Sequence, residues 1–454
     1  MTRVLVSSLL AGLLLAACNS QGVVIGGLQE VTALRSVQNR NLDILFVIDD
    51  SASTADKQQS FANAFPRMMD VLSQLDGGLP NLHIGVVTTD MGTSSQRDAV
   101  PGPAIGSVGQ GGCGGLGKDG VLQKTTDMTA AFLADVEGPG GTRVRNYTGA
   151  LRDTFGTLAK VGASGCGFEQ PLAAMKRALG NPANAGFLRT NANLAVVFLA
   201  DEDDCSASST QLFGPDSAAL GPLDSFRCFR HGVRCSPDEI SIGPKHDCMA
   251  ADDSTVVDDL HPFVDALLAA KSDARMLMTA AIVGDPSPVA VELRQPPGGG
   301  APTPALAHSC SYAGSSGIEV ADPAVRLAGF LQFFDGRATL ASVCSADLSD
   351  PLHAIGASAK RLMGDPCLDS TQLADTSVEL DGVQPSCEVV DIRDSAPHAA
   401  SVLPLCSSGD PDCYAIVADL AACPSSDDHL RVRISRTTAV ADDSWTYVRC
   451  QLAN

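Results

Sequence analysis

Between residues 41 and 364 the chain alternates continuous apolar runs with stretches in which apolar residues recur every three or four positions. Asn41–Ile48 (NLDILFVI) is apolar and rich in β-branched residues, and runs directly into Asp49-Asp50-Ser51-Ala52-Ser53. Such a run reads as a strand buried on both faces, the habit of a parallel sheet. Phe61, Phe65, Met68, Met69, Leu72 and Leu75 then mark one face of an amphipathic helix. Leu82–Thr88 is a second strand and Leu194–Ala200 a third, the latter ending at Asp201. Helices are expected over Tyr147–Lys160, Pro171–Leu179 (proline in its first turn), Pro262–Lys271 and Ala324–Phe334. Met276–Val283 reads as a further strand, and Ala341–Met363 as a closing strand and helix. Alternating strands and helices predict an α/β fold with a doubly wound, mostly parallel sheet. A Gly-rich loop, Gly102–Gly120, and a cysteine-bearing stretch, Cys205–Asp253, read as irregular insertions.

The character changes after Gly364. Residues 365–454 carry short alternating runs, Leu430–Ser435 and Trp445–Arg449, and read as a small C-terminal β-rich module tied by disulfides. The domains expected are therefore 1–17, 18–40, 41–364 and 365–454.

The first segment is a leader. Val4–Ala17 is an apolar run behind Arg3, broken by Ser7, Ser8 and Gly12. As a helix it would rise ~21 Å, short of a ~30 Å hydrocarbon core, which suits an export signal better than a permanent span. Its end, Leu15-Ala-Ala-Cys18, resembles the lipobox of bacterial lipoproteins. That resemblance implies cleavage before Cys18, lipid attachment at Cys18 and anchoring to a membrane. Asn19 in place of aspartate implies, under the same family's sorting rule, the outer membrane. Residues 18–40 read as a polar, Gly-containing tether.

Charge and cysteines sharpen this. Thirty-one basic against 52 acidic residues give −21, one unit more negative without Arg3, which argues against nucleic acid or anionic lipid as an electrostatic partner. Setting Cys18 aside leaves fourteen cysteines, eight before Gly364 and six after it, an even number in each part. In an exported chain this predicts four bridges and three. A zinc site is a poor reading, because no Cys-x-x-Cys pair occurs.

Ligands of open α/β sheets sit beyond the carboxyl ends of the central strands. Two strands deliver hard oxygen donors there: Asp49, Ser51 and Ser53 from one, Asp201 from another. Such a set suits a divalent cation, Mg²⁺ first, with Ca²⁺ or Mn²⁺ as alternatives. Taken singly, each residue has a plainer role. Asp49, Ser51 and Ser53 could cap a helix, Asp201 and the neighbouring Asp203 and Asp204 could form a solvated loop, and Asp90 could close a turn. Capping does not explain carboxylates arriving from two strands at one edge.

Asp49-x-Ser51-x-Ser53 after a buried strand, with Asp201 at a later strand end, resembles the von Willebrand factor type A domain over about residues 40–364. The resemblance implies a metal-ion-dependent adhesion site that binds a partner protein through an acidic residue. The family's threonine ligand is missing. Cys166 lies near its place, and Ser164 or Glu169 is the candidate substitute.

Catalytic motifs are poorer. Gly112–Asp119 nearly spells a phosphate loop, but Asp119 replaces the metal-binding hydroxyl. No Gly-x-Ser-x-Gly or His-Glu-x-x-His occurs, and His231 and His246 read as surface groups. The expectation is a lipid-anchored, non-enzymatic binding protein of the envelope. The alternatives are a metal-independent scaffold and, behind it, an extracellular hydrolase.

Overall fold

The computed structural model describes residues 28–35 and 39–453, apart from 76, 99, 297–298, 316, 335, 365–366, 369, 378, 381, 421–422, 424–427, 438–439 and 442–443. The expected signal peptide, the Cys18 attachment point and the first part of the tether lie outside these residues.

A seven-stranded sheet organises residues 41–364. Its strands are β1 (Asn41–Ile48), β2 (Asn81–Thr88), β3 (Leu133–Glu137), β4 (Arg143–Arg145), β5 (Asn193–Leu199), β6 (Leu277–Val283) and β7 (Ala338–Ser342). In space they run β7-β6-β5-β1-β2-β3-β4. The five from β7 to β2 are parallel, and β3 and β4 add an antiparallel edge. The parallel core matches the expected α/β class; the antiparallel edge was not foreseen. Leu133-Ala-Asp-Val-Glu137 has no continuous apolar run, and its buried Asp135 is held by Arg143, Arg145 and the Tyr147 hydroxyl.

Alternate residues of β1 divide the core. Leu42, Ile44, Phe46 and Ile48 belong to one apolar layer, with residues of helices α1 (Ala55–Leu72), α2 (Leu151–Leu158) and α7 (Ser349–Leu362). Leu45 and Val47 belong to the other, with α3 (Pro171–Gly180), α5 (His261–Ala269) and α6 (Val325–Gln332). Both faces are thus covered, and every residue from Leu42 to Ile48 is buried. Asp43 is the one charge in that run. It is neutralised by Arg189 at 2.8 Å and Lys271 at 3.3 Å near the amino-terminal edge of the sheet.

The Cys205–Asp253 insertion is more ordered than its composition suggested. It holds helix α4 (Phe226–Gly232) and strands Val233–Ser236 and Gly243–Ala250, which pair with Val289–Arg294 and Thr303–Leu306 in a second sheet. Disulfides Cys205–Cys228 and Cys235–Cys248 replace the apolar periodicity that would have announced these elements.

The C-terminal part is strand-rich, as expected, with one correction. Leu28–Arg35, read as tether, is a strand antiparallel to Ser444–Gln451, so the module's sheet takes a strand from each end of the chain. A partner more than four hundred residues away leaves no local signature. The fourteen cysteines pair as Cys113–Cys166, Cys205–Cys228, Cys235–Cys248 and Cys310–Cys344, then Cys367–Cys423, Cys387–Cys450 and Cys406–Cys413. None crosses Gly364. Such dense bridging belongs to chains that fold in an oxidising compartment. Among the described residues, no helix is long and apolar enough to cross a membrane.

The module docks at the amino-terminal edge of the large sheet. Arg275, two residues before β6, stacks 3.7 Å from the Trp445 ring, pairs with Asp394 at 2.6 Å and reaches the Tyr447 hydroxyl. The carboxyl ends of the strands, at the opposite edge, are left for the site.

Candidate functional site

β1 is central, with β5 on one side and β2 on the other, so the winding reverses there. A crevice opens at such a switch point. Asp49 follows β1 directly, and its N–H donates to Leu199 O at 2.9 Å, which ties the ends of β1 and β5 together. Asp201 leaves β5 two residues after Leu199. The two aspartates singled out in the sequence are therefore neighbours, and both are buried.

The turn after β1 is rigid. Asp49 Oδ1 accepts from Ser51 N at 2.8 Å, and the Thr54 hydroxyl donates to the carbonyls of Asp49 and Ser51. Gln58 on α1 donates to Asp49 O and to Gly162 O, fixing the turn against the loop before α3. Ser51 Oγ and Ser53 Oγ lie 3.2 Å apart, and Ser53 is exposed. Capping accounts for one Asp49 oxygen. The other, Oδ2, is buried without a hydrogen-bond partner.

Lys57 is the element not foreseen. Its ammonium, in the first turn of α1, is buried 3.0 Å from Asp201 Oδ2 and 3.0 Å from Glu319, and donates to Ser53 O at 3.1 Å. Asp201 Oδ2 is thus already faced by an ammonium, and Asp201 Oδ1 is buried without a hydrogen-bond partner. Burial alone would lower the Lys57 pKa, but Asp201 and Glu319 reverse that and hold it above the usual lysine value. Glu319 comes from a hairpin, Cys310–Ala313 paired with Ile318–Ala321, which Cys310–Cys344 and the Tyr312 and Ser315 contacts to Asp56 press against α1.

The two candidate substitutes for the missing threonine go different ways. Ser164 is exposed, and its carbonyl accepts from Gly111 N. Glu169 is 1% exposed, and its Oε1 has no hydrogen-bond partner. Burial raises its pKa well above the ordinary glutamate value, and the charges of Glu202, Asp49 and Asp201 add to the rise. Asp49 is raised in the same way, by burial first and then by Asp201 and Glu202. Glu202, not singled out in the sequence, is pushed up to about 8 by burial and by the charges of Asp322 and Asp201. The charges of Asp49, Asp201, Glu169 and Glu202 thus act on one another, and Asp49 Oδ2, Asp201 Oδ1 and Glu169 Oε1 are buried without a hydrogen-bond partner. Thr89, at the end of β2, is also buried with a hydroxyl that makes no hydrogen bond.

The surrounding residues are structural. Asp50 turns away to pair with Lys118 at 2.7 Å and packs on Gly165, where a Cβ would lie 2.4 Å from the carboxylate. Lys118 is the lysine of the near-phosphate-loop, so that motif's cation is already committed. Asp90 accepts from Gly92 N in a turn packed on Gly117. Asp203 and Asp204 are not a solvated loop. Asp203 accepts from the first N–H groups of α6, and Asp204 forms a buried pair with Arg326 at 3.0 Å. His231 is half-buried and bonded to Leu220 O, and His246 is exposed beside Asp247.

Cation fit follows from the donors. Among the described residues no three Asp, Glu, His or Cys side chains converge as a ready cage. A cation here would rest on carboxylates together with the Ser51 and Ser53 hydroxyls, a hard-oxygen set suited to Mg²⁺, Mn²⁺ or Ca²⁺. Asp49 Oδ2, Asp201 Oδ1 and Glu169 Oε1 fit that role, since buried acceptors without donors are costly.

No family model and no curated protein matches the sequence. Solved structures similar to it include the pilus adhesin SpaC from Lactobacillus rhamnosus GG in its open conformation, at 8% identity and TM-score 0.30, covering 93% of this chain. This chain spans 40% of the length of that adhesin. The conserved hypothetical protein BatB from Bacteroides thetaiotaomicron is similar over 71% of this chain and 98% of its own, at 9% identity and TM-score 0.28. A von Willebrand factor type A protein from Catenulispora acidiphila is similar over 93% of this chain and 63% of its own, at 10% identity and TM-score 0.27. Matches at this level carry no functional assignment.

Proposed function

We propose that the crevice at the ends of β1 and β5 is a divalent-cation site that binds a partner protein. Asp49, Ser51, Ser53 and Asp201 would hold the cation, with Glu169 in place of the threonine of type A domains and Mg²⁺ as the first choice. A cation held there supplies an open coordination position for an aspartate or glutamate of the partner. The observation that supports this most is the set of buried oxygens without hydrogen-bond partners, Asp49 Oδ2, Asp201 Oδ1 and Glu169 Oε1. The chain's part is to fix those oxygens. The Gln58 and Thr54 bonds lock the Asp49 turn, and Cys113–Cys166 ties down the loop that carries Glu169. The leader and Cys18 support an outer-membrane, lipid-anchored protein that faces its partner with this edge. No catalytic role is part of the proposal.

A second reading has one specific observation in its favour. Lys57 already presents a positive charge to Asp201, so the fold could serve as a metal-independent scaffold. Capture from envelope extract separates the two. With the fragment 28–454 as bait, a partner retained in Mg²⁺ and released by chelator supports the cation reading. A partner retained equally in chelator supports the scaffold.

A further inference from the structure

Beside the site, and opening between the insertion and the strand Thr303–Leu306, lies a cavity of about 310 Å³. Five carboxylates reach its wall: Glu169, Glu202, Asp203, Asp224 and Asp322. Its apolar lining comes from Phe226 and Phe229 of α4 and from Leu306. A pocket with an apolar lining and a few converging polar groups is the usual form of a small-ligand site.

Three of the carboxylates are already committed, Glu202 among them through Ser225 and Glu169. Asp203 accepts from α6, and Asp322 Oδ1 lies 2.6 Å from His308 Nδ1. Bare acceptors remain. Glu169 Oε1, in a residue 1% exposed, and Asp224 Oδ1 are both buried without a hydrogen-bond partner. Arg294 lines the mouth, but its guanidinium is engaged by Glu292 at 2.9 Å and by Leu306 O. Arg227, whose charge acts on Asp224, spends its N–H groups on the carbonyls of Leu212, Gly214, Gly221 and Pro222. An anion finds no free cationic donor among the lining residues, and a bare metal ion leaves most of the volume and the aromatic rings without contacts. A donor-bearing cation on an apolar stem satisfies both halves, its charge against the carboxylates and its stem or face against Phe226 and Phe229.

We propose that this cavity binds an organic cation, a guanidinium or ammonium group on an apolar stem, either as a free small molecule or as an arginine or lysine side chain of a partner. It shares Glu169 with the cation reading above but does not depend on it, because the ligand brings its own charge and chelator leaves it in place.

The test is calorimetry on the fragment 28–454 in chelator, with n-butylguanidinium, its neutral counterpart n-butylurea, and blocked Gly-Arg-Gly and Gly-citrulline-Gly peptides. The expected result is binding of the charged member of at least one pair, weakened ~10-fold or more in its neutral counterpart. Binding of n-butylguanidinium alone marks a free small molecule, and binding of the arginine peptide marks a partner side chain. Asp224→Asn and Ala305→Phe, the second filling the cavity from its wall, should each weaken binding by a similar factor while the melting temperature stays near wild type. Asp224→Asn keeps the test open should the filled variant fold poorly. Equal binding of charged and neutral probes, binding unmoved by both variants, or no binding of any probe overturns the proposal.

Discussion

Lys57 Nζ sits 3.0 Å from Oδ2 of Asp201, so the carboxylate that the crevice would give to a metal is already shared with an ammonium of the chain itself. Both side chains are almost fully buried, at 1% and 3% exposure. A buried pair is costly to break from one side, because the charge left behind has no partner. The same ammonium would repel a divalent ion bound beside it. Lys57 therefore stabilises the metal-free fold and opposes loading.

That double role predicts opposite effects from one substitution. Lys57→Met keeps the stem and removes the charge. In chelator the variant should lose about 3 kcal/mol or more of stability. In Mg²⁺ much of that loss should return, with affinity for the ion raised ~10-fold or more. Chemical denaturation with and without the ion checks both signs.

Acidity should act on the metal-free protein in a defined direction. Glu202 has an ordinary value near 4.5 and is pushed up to about 8 in the fold. A carboxyl whose proton is held more tightly in the folded chain contributes its full stabilisation below its unfolded pKa. It loses that contribution as pH rises through the folded value. Glu169 and Asp49 shift in the same direction. Melting temperature in chelator should therefore rise as pH falls from about 8 toward 5, and Glu202→Gln should flatten the slope. Saturating Mg²⁺ should flatten it too, since an ion favours the ionised carboxylates.

The Cys113–Cys166 bridge joins the Gly-rich loop to the segment that carries Glu169. Replacing both cysteines with serine should cost ~2–4 kcal/mol. It should also weaken Mg²⁺ binding, because Glu169 loses its fixed approach to Asp49. Calorimetry on the double variant reads the second effect.

Arg275 offers a control at the far edge. Arg275→Ala removes the stack on Trp445 and the pair with Asp394. Limited proteolysis between the large domain and the C-terminal module should quicken, with Mg²⁺ affinity unchanged.

How much of this was legible depended on how far apart in the chain the partners lie. The ends of β1 and β5 could be read directly, because continuous apolar runs stop at Asp49 and Asp201. Their adjacency followed from the winding rule for parallel sheets. Lys57 could not be read. Asp56-Lys57-Gln58-Gln59 looks like any solvated first turn, and Glu319, which helps bury it, lies 262 residues further on. The loop before α3 offered Ser164 and Glu169 on equal terms; packing turns one out and the other in. The cavity was hidden for a similar reason, since its lining depends on disulfides folding an insertion whose sequence has no apolar period.

The most direct test is calorimetric titration of Mg²⁺ into the fragment 28–454 and into its Asp49→Ala variant at neutral pH. The proposed site predicts one ion bound per wild-type chain, a higher melting temperature when loaded, and both effects lost in the variant. Absence of binding by Mg²⁺, Mn²⁺ and Ca²⁺ alike, or binding that survives Asp49→Ala, would contradict it.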